Sequence, residues 1–181
     1  MGSLPPRSGK KSPVILVLGG ARSGKSRFAE SLLADQAGHR IYLATAEAGD
    51  EEMRLRILHH QSRRGKGWRM IESPIEIAAP IANAGEDAVL VDCLTLWLSN
   101  LMAVDRDIDE ATSDLCRALD KARGPVVLVS NETGLGVVPD NALAREFRDR
   151  AGRLNQAIAA KADRVFFIAA GLPLTLKDNA A

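Results

Sequence analysis

Several features that mark common protein classes are scarce or missing in this sequence of 181 residues. There are two cysteines, Cys93 and Cys116, and they have neither the spacing of a metal site nor the number needed for a disulfide framework. The polar, basic start of the chain lacks the apolar core of a signal peptide. We therefore expect reduced thiols in a cytoplasmic protein.

Charge of one sign and long apolar runs are also lacking. Lys and Arg number 24 against 23 Asp and Glu, which gives a net charge of +1 and no overall positive field to attract a nucleic acid. No apolar run approaches the roughly 20 residues that a membrane-spanning helix needs. We expect neither a nucleic-acid partner nor a membrane span.

The composition that remains is that of an aliphatic globular domain. Apolar residues make up 46% of the chain but aromatic residues only 4%, a balance that suits aliphatic strands covered by helices rich in Ala and Leu. The length fits one domain better than two. We predict a flexible tail over residues 1–13 and a single domain over residues 14–181.

Short apolar runs alternate with longer helical patterns along the chain. The predicted strands are Val14–Leu18, Ile41–Ala44, Trp68–Ile71, Ala88–Val91, Pro125–Val129 and, last, Val165–Ala169. The predicted helices are one from Gly24 to near Gly38, then Asp50–Arg64, Ile75–Asn83, Leu94–Val104, Glu110–Lys121 and Asn141–Lys161.

This alternation predicts an α/β fold with a mostly parallel sheet and helices on both faces. In the longest helix, Leu143, Phe147, Leu154 and Ile158 are spaced to form one core-facing stripe. Ligands of such sheets bind beyond the carboxyl ends of the strands, so the loops that follow the strands are the candidate sites.

The first of these loops carries a complete phosphate-binding pattern, Gly19-Gly20-Ala21-Arg22-Ser23-Gly24-Lys25-Ser26, between a strand and a helix. Glycines let successive N–H groups turn toward phosphates, and the helix start adds its positive dipole end. Lys25 is placed to reach the β- and γ-phosphate oxygens, and Ser26 to bind Mg²⁺. The alternative is a glycine turn that binds nothing. The pattern predicts a nucleoside triphosphate site.

Asp92 ends a predicted strand and has two interpretations. It is placed to hold Mg²⁺ directly or through water, as an acid at this position does in phosphate-loop enzymes. It is also a good cap for the helix that begins at Leu94.

A pair of histidines, His59 and His60, ends a predicted helix that is flanked by arginines. A neutral imidazole is a competent nucleophile toward phosphorus, and nearby arginines would stabilise the charge of a nucleotide. The alternative is a solvated cationic helix end that complements the helix dipole.

The loop after the fourth strong strand contains Asn131 and Glu132, followed by Gly134 and Gly136. The two polar side chains are candidates to contact substrate or metal at the carboxyl edge. The alternative is a turn in which the glycines only supply positive φ.

Taken in order, these pieces resemble the bifunctional adenosylcobinamide kinase / adenosylcobinamide-phosphate guanylyltransferase family of cobalamin (vitamin B12) biosynthesis. The resemblance runs from Val14 to Lys177. Its carrying segments are the phosphate loop, Tyr42–Ala46, Glu52-Met53 through His59-His60, Trp68-Arg69, Val91–Thr95, Ser130–Pro139, Phe147–Asp149 and Gly152–Gln156.

The resemblance implies a RecA-like P-loop domain, and a small homo-oligomer that we expect to be a trimer. It implies that His59 is guanylylated by GTP and that Lys25 serves catalysis, with Mg²⁺ at Ser26 and Asp92. The remaining GTP-binding positions that it implies are Ala44, Thr45, Ala46, His60, Gln61, Ser62, Arg63, Glu72 and Asp92.

The implied activity has two steps. A phosphoryl group passes from ATP or GTP to the aminopropanol hydroxyl of adenosylcobinamide, and GMP then passes from GTP through His59 to adenosylcobinamide phosphate. Two other hypotheses stay open: a plain small-molecule kinase without a covalent histidine, and a nucleotide-gated binding protein without turnover.

Overall fold

The structure, a computed structural model, describes residues 12–36, 38–46 and 67–179. The elements follow the chain in the order β1 Val14–Gly19, α1 Lys25–Leu32, β2 Arg40–Ala44, β3 Trp68–Glu72, α2 Ala78–Ala82, β4 Ala88–Asp92, α3 Leu94–Ala103, α4 Ile108–Lys121, β5 Val126–Asn131, α5 Ala142–Lys161, β6 Arg164–Ala169 and β7 Leu172–Asp178.

The strands form one seven-stranded sheet in the order β3-β2-β4-β5-β1-β6-β7. All neighbours pair in parallel except β6 and β7, which are antiparallel. The predicted mostly parallel sheet is therefore confirmed. Because the six parallel strands end on the same side, their following loops meet at one edge of the sheet, which we call the carboxyl edge.

Helices cover both faces of the sheet, as predicted. One face packs against α1 through residues such as Ala29 and Leu33, together with strand residues that include Val17 and Val129. The other face packs against α2, α3, α4 and α5 in a larger aliphatic core around Trp97. Burial of these apolar side chains is the main favourable term that holds the sheet and helices together.

The helix boundaries follow the local capping residues. Helix α4 begins at Ile108, two residues before the predicted start, because the Asp107 side chain accepts a hydrogen bond from the N–H of Glu110. Helix α1 ends at Leu32, well before Gly38, and α2 covers only Ala78–Ala82 of the predicted Ile75–Asn83.

The prediction that the sheet ends with the strand at Val165–Ala169 is wrong. Strand β7 follows after a tight turn in which Ala170 and Gly171 both have positive φ, 51° and 80°. Two consecutive residues with positive φ make the type I′ turn that joins antiparallel strands. β7 contains Pro173, which is tolerated there because β7 is an edge strand.

Two further differences concern the ends of the domain and of α5. Leu143 was predicted to face the core, yet it is 68% exposed at the start of α5, whereas Leu154 and Ile158 are buried. At the N-terminal side, Ser12 is buried and its hydroxyl donates to the Arg123 carbonyl. The predicted helix Asp50–Arg64 lies outside the described residues.

Candidate functional site

The loop between β1 and α1 has a backbone that only glycine allows at two positions. Gly19 has φ 153°, and a Cβ there would lie 2.5 Å from the Ile168 carbonyl oxygen. Gly24 has φ 98°, and a Cβ there would lie 3.3 Å from the Cα of Gly171. The glycines of the predicted pattern therefore let the loop pack closely against the end of β6 and the following turn.

The start of α1 differs from the starts of α4 and α5. Asp107 and Asn141 cap those two helices with their side chains, whereas Gly24 at the start of α1 supplies no side-chain cap. The Ser23 hydroxyl oxygen is buried and has no hydrogen-bond partner among the described residues. First-turn N–H groups and a buried hydroxyl without a partner suit a phosphate ligand.

Lys25 is the first residue of α1 and is only 8% exposed. Its Nζ donates a hydrogen bond to the Gly20 carbonyl oxygen at 2.7 Å, so the ammonium group lies over the phosphate loop. Burial lowers the pKa of Lys25, and the nearby Cys93 and Asp92 oppose that shift. A buried ammonium group that needs nearby negative charge is suited to bind phosphate oxygens.

Asp92 lies at the end of β4, in register with Ala44 of β2 and Val129 of β5. Its Oδ2 accepts a hydrogen bond from the hydroxyl of Tyr42 at 2.8 Å. Both β4, which ends at Asp92, and β1, which leads into the phosphate loop, pair with β5, so Asp92 and the loop lie at the same edge of the sheet. The structure gives no Asp92 side-chain cap to α3, whose N-cap residue is Cys93.

The segment Ala44-Thr45-Ala46 follows β2 at the same edge. Thr45 is fully buried, and its Oγ1 both donates to the Cys93 carbonyl and accepts from the Cys93 N–H, each at 2.7 Å. The Thr45 carbonyl accepts from the side chain of Asn100 at 2.8 Å. The hydroxyl of Thr45 is thus used to join β2 to the end of β4.

Glu72 is the remaining predicted nucleotide contact at the carboxyl edge. It is the last residue of β3, lies in register with Ala44 and is exposed. The strand register therefore brings Ala44, Glu72 and Asp92 into neighbouring positions at the carboxyl edge.

Asn131 and Glu132 are held differently from each other. The Asn131 N–H donates to Thr95 Oγ1 at 2.6 Å, and its carbonyl accepts from Asn155 at 3.2 Å. The Glu132 carboxylate accepts from the N–H of Gly134 at 2.6 Å, which favours the turn interpretation for Glu132. Asn131 pairs with Gly19 in the sheet and so lies beside the phosphate loop.

Cys93 and Trp97 are both buried. Burial raises the pKa of the Cys93 thiol to about 11, which keeps the thiol protonated at neutral pH. The Trp97 indole N–H donates to the Ile75 carbonyl at 2.7 Å.

The histidine pair and its neighbours lie outside the described residues, as do all five positions from His59 to Arg63. Two other residues that were not predicted from the sequence also support the site. Tyr42 holds Asp92, and Thr95 holds the end of β5. Their only sequence signal was their position within the segments Tyr42–Ala46 and Val91–Thr95, which lie at the ends of β2 and β4.

Within the described ranges no group of three or more His, Cys, Asp or Glu residues forms a metal-binding cluster. Ser26 in the first turn of α1 and Asp92 at the end of β4 offer oxygen atoms, the type of ligand that Mg²⁺ takes. In the same ranges, no helix has the length and apolar character required to span a membrane.

Comparisons with known proteins find relatives over almost the whole chain. Residues 15–176 match the family model CobU, described as cobinamide kinase / cobinamide phosphate guanyltransferase. The chain is 50% identical over 166 residues to the bifunctional adenosylcobalamin biosynthesis protein CobP of Pseudomonas aeruginosa, covering 90% of this chain and 96% of the relative. It is 41% identical over 181 residues to the CobU protein of the same description from Salmonella typhimurium, covering 91% and 99%.

The fold is also found in a solved structure of a prototypical ATPase from the type III secretion system of pathogenic bacteria. The TM-score is 0.57 at 13% identity, covering 90% of this chain and 56% of that one. This likeness concerns the fold alone and confirms the expected P-loop NTPase architecture. The family match and the two relatives show more: the chain belongs to the cobinamide kinase / cobinamide phosphate guanyltransferase family.

Proposed function

We propose that this protein phosphorylates adenosylcobinamide and then converts the product to adenosylcobinamide-GDP. The observation that carries the proposal is the buried Lys25 ammonium over the phosphate loop, with Asp92 in its electrostatic range. Family membership supplies the substrate class, since the matched family and relatives are named for cobinamide and adenosylcobalamin chemistry.

In the first transfer, the aminopropanol hydroxyl oxygen of adenosylcobinamide attacks the γ-phosphorus of ATP or GTP. The bond from this phosphorus to the bridging oxygen breaks, the nucleoside diphosphate leaves, and the hydroxyl proton is released to solvent. Lys25 and the N–H groups of Gly19–Ser26 bind the phosphate oxygens and stabilise their charge. Mg²⁺ bound beside Ser26 and Asp92 would neutralise part of the phosphate charge.

In the second transfer, an imidazole nitrogen of His59 attacks the α-phosphorus of GTP and pyrophosphate leaves, which forms a phosphoramidate. A phosphate oxygen of adenosylcobinamide phosphate then attacks the same phosphorus and displaces the imidazole, so that GMP passes to the substrate. His60, Gln61, Ser62 and Arg63 bind GTP in this proposal.

The positions after β2 and β3 complete the GTP site in the same proposal. Ala44, Ala46 and Glu72 lie along the nucleotide, while Thr45 contributes through the backbone that its hydroxyl ties to Cys93. Lys25 and Ser26 serve both transfers because each needs the phosphates held in the same place.

We also propose a cytoplasmic homotrimer. Three leucines of the edge strand β7, namely Leu172, Leu174 and Leu176, are 72%, 60% and 55% exposed, and an exposed row of leucines favours self-association. Light scattering should give the mass of three chains.

The test of the proposed function is a two-stage assay on the purified protein. With adenosylcobinamide, ATP and Mg²⁺ the first stage should yield adenosylcobinamide phosphate, detected by mass. Addition of GTP should then release pyrophosphate and yield adenosylcobinamide-GDP. Phosphorylation without pyrophosphate release would favour the plain kinase, and nucleotide binding without either product would favour the binding protein.

A further inference from the structure

Tyr42 contacts Asp92 directly although neither sequence pattern nor family motif assigns it a role. Tyr42 lies on β2, whose neighbour β4 carries Asp92, and the two residues are 50 positions apart in the chain. The tyrosine side chain is only 5% exposed. Its hydroxyl donates to Asp92 Oδ2 at 2.8 Å, a normal distance for a hydrogen bond to a carboxylate.

The aromatic ring of Tyr42 is itself held in place. The ring of Trp68 on β3 meets it edge-to-face, with centroids 6.2 Å apart and an interplanar angle of 78°. The guanidinium of Arg40 lies 5.2 Å from the centroid of the Trp68 ring. Packing on this side and burial against the α1 face leave the hydroxyl little freedom to move away from Asp92.

The hydrogen bond limits how Asp92 can meet a metal ion. A carboxylate that binds an ion with both oxygens needs a free lone pair on each of them, and the Tyr42 hydroxyl already occupies one lone pair of Oδ2 and competes with an ion there. Oδ1 remains as the oxygen to offer to an ion or to one of its water ligands. Ca²⁺ accepts six to eight oxygens and often a two-oxygen carboxylate, whereas Mg²⁺ needs six ligands in a strict octahedron and usually takes one oxygen from each carboxylate.

We propose that Tyr42 is a positioning residue that leaves Asp92 one free oxygen and thereby selects Mg²⁺ over Ca²⁺ at the nucleotide site. This inference rests on the proposed function, in which Asp92 holds the metal. In this proposal Tyr42 acts through the Asp92 carboxylate.

The test measures how much each metal strengthens nucleotide binding. The ligand is a GTP analogue with a methylene group between its α- and β-phosphorus atoms, which prevents loss of pyrophosphate. Its affinity is measured by calorimetry with chelator, with Mg²⁺ and with Ca²⁺, for the wild type and for Tyr42→Phe, Trp68→Phe and Asp92→Asn. The ratio of the Mg²⁺ effect to the Ca²⁺ effect is the quantity compared.

Tyr42→Phe keeps the ring and removes only the hydroxyl. We expect it to retain metal-free binding and to reduce the strengthening by Mg²⁺ about tenfold, the effect of one hydrogen bond to a charged group. Binding with Ca²⁺ should stay the same or become tighter, so the ratio should fall. Trp68→Phe, the matched control, keeps an aromatic ring beside Tyr42 and should leave the ratio unchanged.

Asp92→Asn separates this inference from the proposed function. If Mg²⁺ still strengthens binding to Asp92→Asn as it does to the wild type, the proposed metal role of Asp92 fails. If Asp92→Asn loses that effect while Tyr42→Phe keeps the wild-type ratio, only the role of Tyr42 is overturned. An equal loss with both metals in Tyr42→Phe would also overturn it. The double variant should bind like Asp92→Asn alone.

Discussion

Side chains are buried and hydrogen-bonded at the ends of the inner strands β2 and β4 but exposed on the edge strand β7. Where β2 and β4 end, Thr45 is fully buried and both hydrogen-bonding functions of its hydroxyl are used by Cys93. At the other side, β7 has Leu174 60% exposed. We call the first region, with Thr45, Asp92 and Cys93, the polar end. We call the second region the leucine edge; it comprises Leu172, Leu174 and Leu176. The polar end is thus organised before any ligand arrives, whereas the leucine edge contributes little to the fold of a single chain.

This difference follows from strand position. β2 and β4 are inner strands, so a polar group at their ends is partly removed from water and needs a protein partner. β7 is the last strand, with one of its long edges unpaired in the sheet and a proline at position 173. Apolar side chains on its exposed surface are not required to fill a core.

The largest effect should come from the charged residue beside the polar end. Lys25→Ala removes the ammonium that lies over the phosphate loop and should lower both the kinase and the transferase rates at least about 10²-fold, as loss of a charge-stabilising group does. Steady-state rates with adenosylcobinamide and with its phosphate measure the two activities. Lys121→Ala, at an exposed helix end, is the control and should retain both. If either the kinase or the transferase activity of Lys25→Ala stayed near the wild-type rate, that activity would require a second nucleotide site.

A smaller effect, on stability, should separate the two regions. Thr45→Val keeps the size of the side chain but leaves the buried Cys93 N–H without a partner, while the Cys93 carbonyl keeps its bond from the Trp97 N–H; this should cost about 1–3 kcal/mol of unfolding free energy. Urea denaturation measures this. Thr175→Val makes the same chemical change on exposed β7 and should shift the free energy by less than about 0.5 kcal/mol. Equal losses in both variants would remove the distinction between the regions.

The smallest effect should come from the leucine edge itself. Because Leu174 is 60% exposed, Leu174→Thr should change the unfolding free energy of the single chain by less than about 0.5 kcal/mol. The measurement is urea denaturation at low protein concentration, where association is weakest. A loss of several kcal/mol would mean that this leucine is packed in the folded protein and that the leucine edge is part of its core.

The phosphate loop was predictable because its chemistry is local. Eight consecutive residues, Gly19–Ser26, determine the turn, the positive charge and the start of the helix. In the structure, Gly19 has a positive φ and a close backbone contact that require glycine. The strand ends were predictable for the same reason, since each follows a short apolar run. Asp92 was found because it terminates such a run.

The contacts of the polar end were not predictable from the sequence. The bond between Tyr42 and Asp92 depends on β2 lying next to β4, a strand order that periodicity does not give. The full burial of Thr45 depends on the same neighbourhood. Strand β7 was not predicted, and Leu143 was placed in the core because helical spacing says nothing about where a helix leaves the sheet.

The central chemical proposal is the covalent transfer of GMP from GTP to His59. In this proposal the phosphate loop holds the nucleotide and Asp92 holds its metal ion. Neighbouring residues on a helix point about 100° apart, so in the predicted helix only one of the two histidines faces the α-phosphorus. A phosphoramidate on that histidine should be labile in acid and stable in base.

Intact-protein mass spectrometry after incubation with GTP and Mg²⁺ tests this claim most directly. We predict that the wild type and His60→Ala gain the mass of one GMP, and that His59→Ala gains nothing while it still phosphorylates adenosylcobinamide. An adduct that persists in His59→Ala but is lost in His60→Ala would identify the other imidazole as the nucleophile. Absence of any adduct on the wild type would contradict the covalent mechanism and leave a plain kinase.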